Sequence, residues 1–558
     1  MQFIKTALSI AFFIATVPAL AQTTYFYPNS KDQILLERLE ILQQKNSTLN
    51  FSGIRPFSRK AWVNELLRPD SSGSEKLTAV DQNNRQRALM NNQEWLPEEY
   101  EPFDSRKSWW NTFYKTPSDF IQVKSNDFFL SVNPVLQVKV AKETENDETL
   151  FLNSRGLVVR GLIGKKVGFF TYLTENQERT PNYVKQKIDD HHAVPGAGFY
   201  KWFKGSGVDY FDARGYITFN AAKYIDIQFG YDRNFLGSGY RSLFLSDVAN
   251  SNLFLKLNTK VWKLNYQNLF MELTPGFMRG GNDDLLPKKY ASMHHLSINV
   301  TKWLNVGLFE AVVFGRKDHF DFTYLNPIIF LRSIEQQNGS PDNAIAGIDL
   351  KANIAGRFQL YSQILLDEFK LSEIRSGKGW WANKWGLQLG AKYVNAFGIG
   401  NLDLQGEINM VRPFTYTFRD SVANYTHYNQ PLAHPLGANF RELVGLLRYQ
   451  PLNKLYLNAR LIYANHGVDT AGKNFGNNIF LPYTTRELQY GNNFGNAVTG
   501  KLLNLSFDAS YEIKENLFFE FSVNYRKTNA AAAGPLPLQS TVVSGGIRLN
   551  MAKRVFDF

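Results

Sequence analysis

From about residue 127 to the end, the chain repeats one pattern: an alternating run of apolar and polar residues, a short turn, a second such run, then a long polar loop. Ile225-Asp226-Ile227-Gln228-Phe229-Gly230-Tyr231-Asp232 shows the alternation, as does Leu402-Asp403-Leu404-Gln405-Gly406-Glu407-Ile408-Asn409. A period of two gives a strand one apolar face and one polar face. Many such segments of about ten residues, separated by turns, are the signature of a transmembrane β-barrel.

The connections support this. Tight turns are expected at 164–166, 222–224, 260–262, 302–304, 355–357, 398–400, 451–453 and 514–516. Between them lie polar stretches at 143–149, 180–206, 237–251, 276–287, 317–342, 371–382, 417–437, 467–498 and 529–538. Short and long alternate without a break, which predicts an up-and-down barrel of about 18 antiparallel strands with short periplasmic turns and long outer loops. The barrel is assigned residues 121–558. Parity sends Leu253, Leu255 and Leu257 to lipid and Lys256 and Asn258 to the lumen, and divides 519–526 in the same way. Trp262, Trp303 and Tyr224 fall beside periplasmic turns, where interfacial rings belong. The alternation slips near 551–553, which predicts a bulge or a register change before the terminal Phe558.

Composition removes several classes. No apolar run after the N-terminus reaches the roughly 18 residues that a spanning helix needs. The chain has no cysteine, so disulfides, thiolate metal sites and a cysteine nucleophile are excluded. Aromatics make up 15% of the residues, a load that a barrel places at its lipid face and in its girdles. The formal charge is +12, but the basic residues are scattered singly. That favours acidic glycans or anionic lipid head groups and not nucleic acid.

Residues 1–21 read as a secretory signal: Lys5, an apolar run over 7–17, then Ala19-Leu20-Ala21, with Gln22 starting the mature chain. The expected location is therefore the outer membrane of a bacterium. Residues 22–120 read as a small periplasmic α-helical cap or plug with a linker. Ser30 or Asp32 caps a helix with Leu35, Leu39 and Leu42 on one face. Ser58 caps a second that Pro69 stops, and a third runs over 81–90. Trp109-Trp110 falls in the linker.

Three stretches resemble a known family. Residues 229–247 (FGYDRNFLGSGYRSLFLSD) resemble the Wzi capsule-assembly family in their Gly-x-Asp-Arg strand end, Gly-x-Gly loop and Ser-Leu-x-Leu-Ser segment. Ser52-Gly53-Ile54-Arg55-Pro56-Phe57-Ser58-Arg59 resembles the family's N-terminal region. Arg412-Pro413-Phe414-Thr415-Tyr416-Thr417, with 424–439 (NYTHYNQPLAHPLGAN), resembles a gliding-motility branch called RemB. The resemblance implies an 18-stranded outer-membrane barrel with a helical plug, acting as a surface lectin that holds exported capsular polysaccharide. It implies polysaccharide-export or gliding proteins as partners; the barrel itself implies outer-membrane lipid, and the terminal Phe558 resembles the signal that barrel-assembly machinery reads.

A glycan site wants aromatic faces beside amide, carboxylate and guanidinium groups. The outer loops supply them as candidates: Trp380 and Trp381; Tyr425, His427, Tyr428, Asn429 and Gln430; and Tyr483, Arg486 and Tyr490. Asp232 shares the lumen parity and is a further candidate, although an ion pair with Arg233 bracing Gly237-Ser238-Gly239 is the simpler reading. No cofactor or metal is expected. His294 and His295 are strand neighbours on opposite faces, and His191-His192 lies in a loop. Asp318-His319 and Ser246-Asp247 fix no nucleophile beside a base, so a binding protein is expected and not an enzyme. The alternatives are a gliding or surface-machinery component and a diffusion porin.

Overall fold

The computed structural model describes residues 23–26, 30–68, 77–97, 99–100, 103–105, 112–164, 166–277, 285–469, 472–496 and 498–558. The expected signal peptide, Pro69 and the Trp109-Trp110 pair lie outside these residues.

Eighteen antiparallel strands close into one barrel. They are β1 Phe128–Glu143, β2 Leu150–Ile163, β3 Val167–Arg179, β4 Gly207–Ala222, β5 Ile225–Asp232 and β6 Asn252–Val261. Next come β7 Leu264–Leu273, β8 Lys289–Asn299, β9 Leu304–Phe314, β10 Asn343–Ile354, β11 Phe358–Glu368 and β12 Lys384–Tyr393. The last are β13 Leu402–Val411, β14 Phe440–Leu452, β15 Leu455–Val468, β16 Val498–Lys514, β17 Leu517–Thr528 and β18 Gln539–Leu549. Neighbours in sequence are neighbours in the wall, and β18 pairs with β1 from Leu549↔Leu136 to Val542↔Glu143. The turn at 355–357 and the longer connection at 529–538 fall where the alternation put them. Parity holds as well: Leu253, Phe519 and Phe521 are exposed outside, while Lys256 and Glu520 are buried inside.

The N-terminal helices fill the lumen at the end of the barrel that carries the short turns. They are α1 Lys31–Gln43, α2 Arg59–Leu66 and α3 Ala79–Met90. Ser30 and Ser58 cap the first two, and Thr78 and Asp81 form a capping box on the third. Leu35, Leu36, Leu39, Trp62, Val63 and Leu89 make their shared core. Charges fasten this bundle to the wall: Glu37 to Lys392 at 3.0 Å, Glu40 to Lys351 at 2.7 Å and Arg87 to Glu515 at 2.8 Å. Arg38 bridges Asp81 at 2.9 Å and also pairs with Asp403 of β13.

Long connections do not all stay outside. Ile54-Arg55 pairs antiparallel with Phe235-Leu236, so the connection after β5 descends through the lumen to meet the plug. The connection 412–439 turns inward against it: Ser246 N–H donates to Leu432 O at 2.9 Å, and Tyr425 hydroxyl donates to Phe244 O at 2.7 Å. The three stretches that carried the family resemblance thus form one column along the barrel axis.

The slip near 551–553 is neither bulge nor register change. The wall ends at Leu549, and the following residues turn into the lumen. There Asp557 pairs with Arg241 at 2.9 Å, and Arg554 with Glu178 at 3.1 Å. Phe558 lies against the ammonium of Lys187, 3.9 Å from its ring centre. Lys187 belongs to α4 Asn182–His191, the helix of connection 180–206, so His191 is helical and not in a loop.

Arg241 joins the descending connection, the wall and the final segment. It holds Asp557 and also Glu442 of β14 at 3.1 Å, and Glu442 accepts from His434 at 2.7 Å. Replacing Arg241 by alanine takes the closest cation from two buried carboxylates, leaving His434 on Glu442 and Arg460 near Asp557. The expected loss is about 3–5 kcal/mol, with Arg241→Lys milder. It is read as a lowered midpoint of unfolding in detergent; an unchanged midpoint would contradict this role.

Candidate functional site

Three outer connections, 369–383, 412–439 and 469–497, meet on one side of the barrel mouth. Their backbones bond like a short irregular sheet. Gly491 N–H donates to Lys378 O at 2.8 Å, Asn492 N–H to Gly379 O at 2.9 Å, and Trp381 N–H to Gln489 O at 3.2 Å. Gly379 has φ +66°, and a Cβ there would meet Asn492 N at 3.0 Å, so this close approach needs glycine. Arg412 staples the junction. Its guanidinium donates to Asn383 O at 2.7 Å, Asn492 O at 2.9 Å and Trp380 O at 3.3 Å. Phe414 N–H donates to Gly476 O at 3.0 Å, and Tyr483 N–H to Phe418 O at 3.1 Å. The Asp469 carboxylate accepts from Phe475 N–H and Asn478 N–H at 2.8 and 2.9 Å.

On this frame stands an aromatic ledge. Trp381 is buried, its ring 4.7 Å from that of Tyr483, and the Arg486 guanidinium lies 4.2 Å from its centroid. Trp380 is half-buried and Tyr490 exposed, so both keep ring surface open to solvent. Arg486 donates to Gln489 Oε1 at 2.9 and 3.3 Å and to Tyr483 O at 3.2 Å, which leaves two of its five N–H groups for a ligand. Such a surface offers ring faces for C–H patches and a positioned fork for hydroxyls or carboxylates. Candidates from two separate loops, Trp380, Trp381, Tyr483, Arg486 and Tyr490, are thereby brought together.

The other candidates are placed elsewhere. Tyr425 is fully buried in the column, its ring 5.6 Å from Tyr416. His427 Nδ1 accepts from Thr274 N–H at 3.0 Å, so its Nε2 carries the proton and donates to Ser251 O at 3.1 Å. Tyr428 packs edge-on against Phe277. Asn429 donates to His191 O and Phe277 O at 2.8 Å and accepts from Phe277 N–H at 3.0 Å. Gln430 accepts from Gly196 N–H at 2.7 Å. These groups knit connections 180–206 and 233–251 to residues 274–277 instead of pointing to the outside.

Asp232 is buried and accepts from Arg233 N–H at 2.8 Å. The Arg233 side chain forms no ion pair with it; it bonds Gly196 O and lies 3.8 Å from Asp212. It braces connection 180–206 and not the Gly237-Ser238-Gly239 loop. His294 pairs with Glu310 outside the wall and His295 with Asp349 inside, as their parity requires. Ser246 Oγ donates to Ala433 O, and Asp318 accepts from Lys288 N–H. Arg412, Asp469 and Gln489 were missed by sequence reasoning; only Arg412 carried a signal, as the first residue of the third resembling stretch.

Inside, a cavity of about 510 Å³ lies between the plug, the column and the 550–558 segment, lined in part by Arg59, Lys187, Arg233, Arg241, Arg460 and Asp557.

The closed wall, its apolar outer face and its plugged lumen define an outer-membrane β-barrel whose open chemistry lies at its outer loops. The profile of the capsule assembly protein Wzi family matches residues 208–532, and the chain belongs to that family. Among solved structures, the chain is similar to Wzi of Escherichia coli, described as an outer membrane protein involved in group 1 capsule assembly and a carbohydrate-binding β-barrel. Identity is 14% and the TM-score 0.55, covering 96% of this chain and 100% of that one. OprD of Pseudomonas aeruginosa also matches, at 12% identity and TM-score 0.42, over 75% of this chain and 93% of that one. No curated protein sequence matches the chain.

Burial pushes the His427 imidazole down to about 4. Burial, then Lys187, holds His191 down to about 3, and burial lowers His434. The unfolded chain protonates these groups near pH 6.5. Between about pH 6.5 and 4 the unfolded state therefore binds more protons, so stability falls as pH drops through this window. The His427 share is about 3 kcal/mol at full effect. His427→Gln should make the fall in unfolding midpoint from pH 7 to 4 shallower; an identical slope would refute the assignment.

Proposed function

We propose that this protein binds an extracellular polysaccharide on the ledge of Trp380, Trp381, Tyr483, Arg486 and Tyr490 and helps retain it at the cell surface. The carrying observation is the convergence of aromatic rings and an incompletely bonded guanidinium on loops whose backbones hydrogen-bond one another. Rigid placement reduces the ordering cost of each contact. Membership of the Wzi family supports the reading, as does the shared fold with a barrel described as carbohydrate-binding. Trp380 and Tyr490 present faces for stacking, Trp381 and Tyr483 support them, and Arg486 orients hydroxyl or carboxylate groups. No covalent step is required. Weak contacts repeated along a polymer, and over many copies of the protein on one cell, combine into firm attachment. The plug and the inward connections suit a binding platform better than a diffusion pore.

Trp380→Ala, Tyr490→Ala and Arg486→Ala should each weaken binding of the cell's own polymer by about 0.5–1.5 kcal/mol, roughly 2- to 10-fold. Together they should move polymer from cells to medium at constant total. Unchanged cell-bound polymer in the triple variant overturns the ledge assignment. Unchanged polymer after deletion of the whole gene overturns retention itself, and a motility defect in that deletion would favour the gliding role. In planar bilayers the protein should be electrically silent.

A further inference from the structure

The connection between β9 and β10 departs from every other long loop described above: it folds down the outside of the barrel. Asn268 of β7, His294 of β8 and Glu310 of β9 stand directly opposite one another in adjacent strands. Their parity points them at lipid, where a carboxylate costs free energy unless it is covered. The connection supplies the cover. Leu331 N–H, in the first turn of α5 Leu331–Gln337, donates to Glu310 Oε2 at 3.0 Å. Asn268 Nδ2 donates to Pro327 O at 3.0 Å, and His294 Nδ1 pairs with Glu310 Oε1 at 2.9 Å. Nearer the rim, Phe320 and Tyr324 pack on the outward rings of Tyr290 and Phe314. Arg316 and the Tyr324 hydroxyl close the base of the connection on Asp342 at 2.6–2.7 Å.

Depth follows from strand geometry. A strand residue advances about 3.4 Å, and a tilt of about 40° leaves about 2.6 Å of that along the membrane normal. The 10-residue β7 then spans about 26 Å, close to the roughly 25 Å apolar band of such barrels. Asn268 is five residues from the outer end of β7 and Glu310 four from that of β9, so both lie about 10–13 Å below the rim. The segment bonded to them lies at the level of the outer-leaflet hydrocarbon. Its outward side carries large apolar side chains, with Ile328 87% exposed, Phe322 78% and Phe330 75%, while Arg332, Gln336 and Gln337 are exposed along α5. The three apolar side chains continue the lipid-facing surface formed by Leu308 and Ile348.

We propose that connection 315–342 is a lateral membrane flap: its polar underside caps the Asn268–His294–Glu310 row, and Phe322, Ile328 and Phe330 insert among the acyl chains of the outer leaflet. The occupant of this apolar face is lipid, because the face continues the lipid-facing wall at hydrocarbon depth. The flap fixes the rotational position at which the barrel presents a broadened side to the membrane.

The chain has no cysteine, so single spin labels can be placed cleanly. Ile328→Cys and Phe330→Cys would be labelled and reconstituted in phosphatidylethanolamine–phosphatidylglycerol vesicles. Leu308→Cys serves as the lipid-facing control and Glu487→Cys as the water-facing control. The expected reading at 328 and 330 is strong collision with oxygen and loss of collision with a water-soluble nickel chelate, to the level of Leu308. Nickel accessibility matching Glu487 would overturn the proposal. So would spin–spin broadening between molecules, which would assign the face to a second copy. Heat-modifiable migration of each labelled variant confirms that the barrel has folded.

Discussion

Everything in this protein depends on the ring of backbone hydrogen bonds that closes between β18 and β1. In lipid an unpaired amide or carbonyl costs several kcal/mol, so the sheet has no stable form with an open edge. Closure makes the side-chain period strict. With lipid outside, a one-residue slip in any strand would send Lys256, Lys351 or Glu520 into hydrocarbon. The same closure creates a wide polar interior that must be filled or left to water.

This chain fills it from both ends and from within. Helices enter from the end with the short turns, connections 233–251 and 412–439 descend from the end with the long loops, and residues 550–558 join them from the last strand. The parts are coupled through charges: Arg241 joins the descending connection to the wall at Glu442 and to the final segment at Asp557. With its interior occupied, the outer ledge is braced by the wall at Arg412 and, through Tyr416, by the column: the Tyr416 hydroxyl donates to Leu243 O at 2.8 Å. Binding on such a support loses little to loop ordering.

The barrel was legible because its two signals are local. Alternation reports which faces meet lipid and lumen, and turn length reports which end of a strand is periplasmic. The capped helices were legible for the same reason, through Ser30, Ser58 and the apolar spacing of Leu35, Leu39 and Leu42. The site was only partly legible. Aromatic and amide residues in loops mark interaction potential, but Tyr425, His427, Asn429 and Gln430 spend it on other loops, whereas Trp380 and Tyr490 keep theirs open. The polar row of Asn268, His294 and Glu310 breaks the lipid-facing pattern, yet its cover lies in a connection whose course the pattern does not encode.

The sequence by itself determined the strand count, the faces that each strand turns to lipid and lumen, and the N-terminal helices, since each follows from spacing between residues close in the chain. Only the tertiary structure decided where the long connections go: 412–439 inward, 369–383 and 469–497 across the mouth, 315–342 down the outer wall. Those courses are set by bonds between residues far apart in sequence, such as Arg412 with Asn492, Arg241 with Asp557 and Asn268 with Pro327. No local period reports such bonds, because they exist only once closure of the wall has brought their partners together.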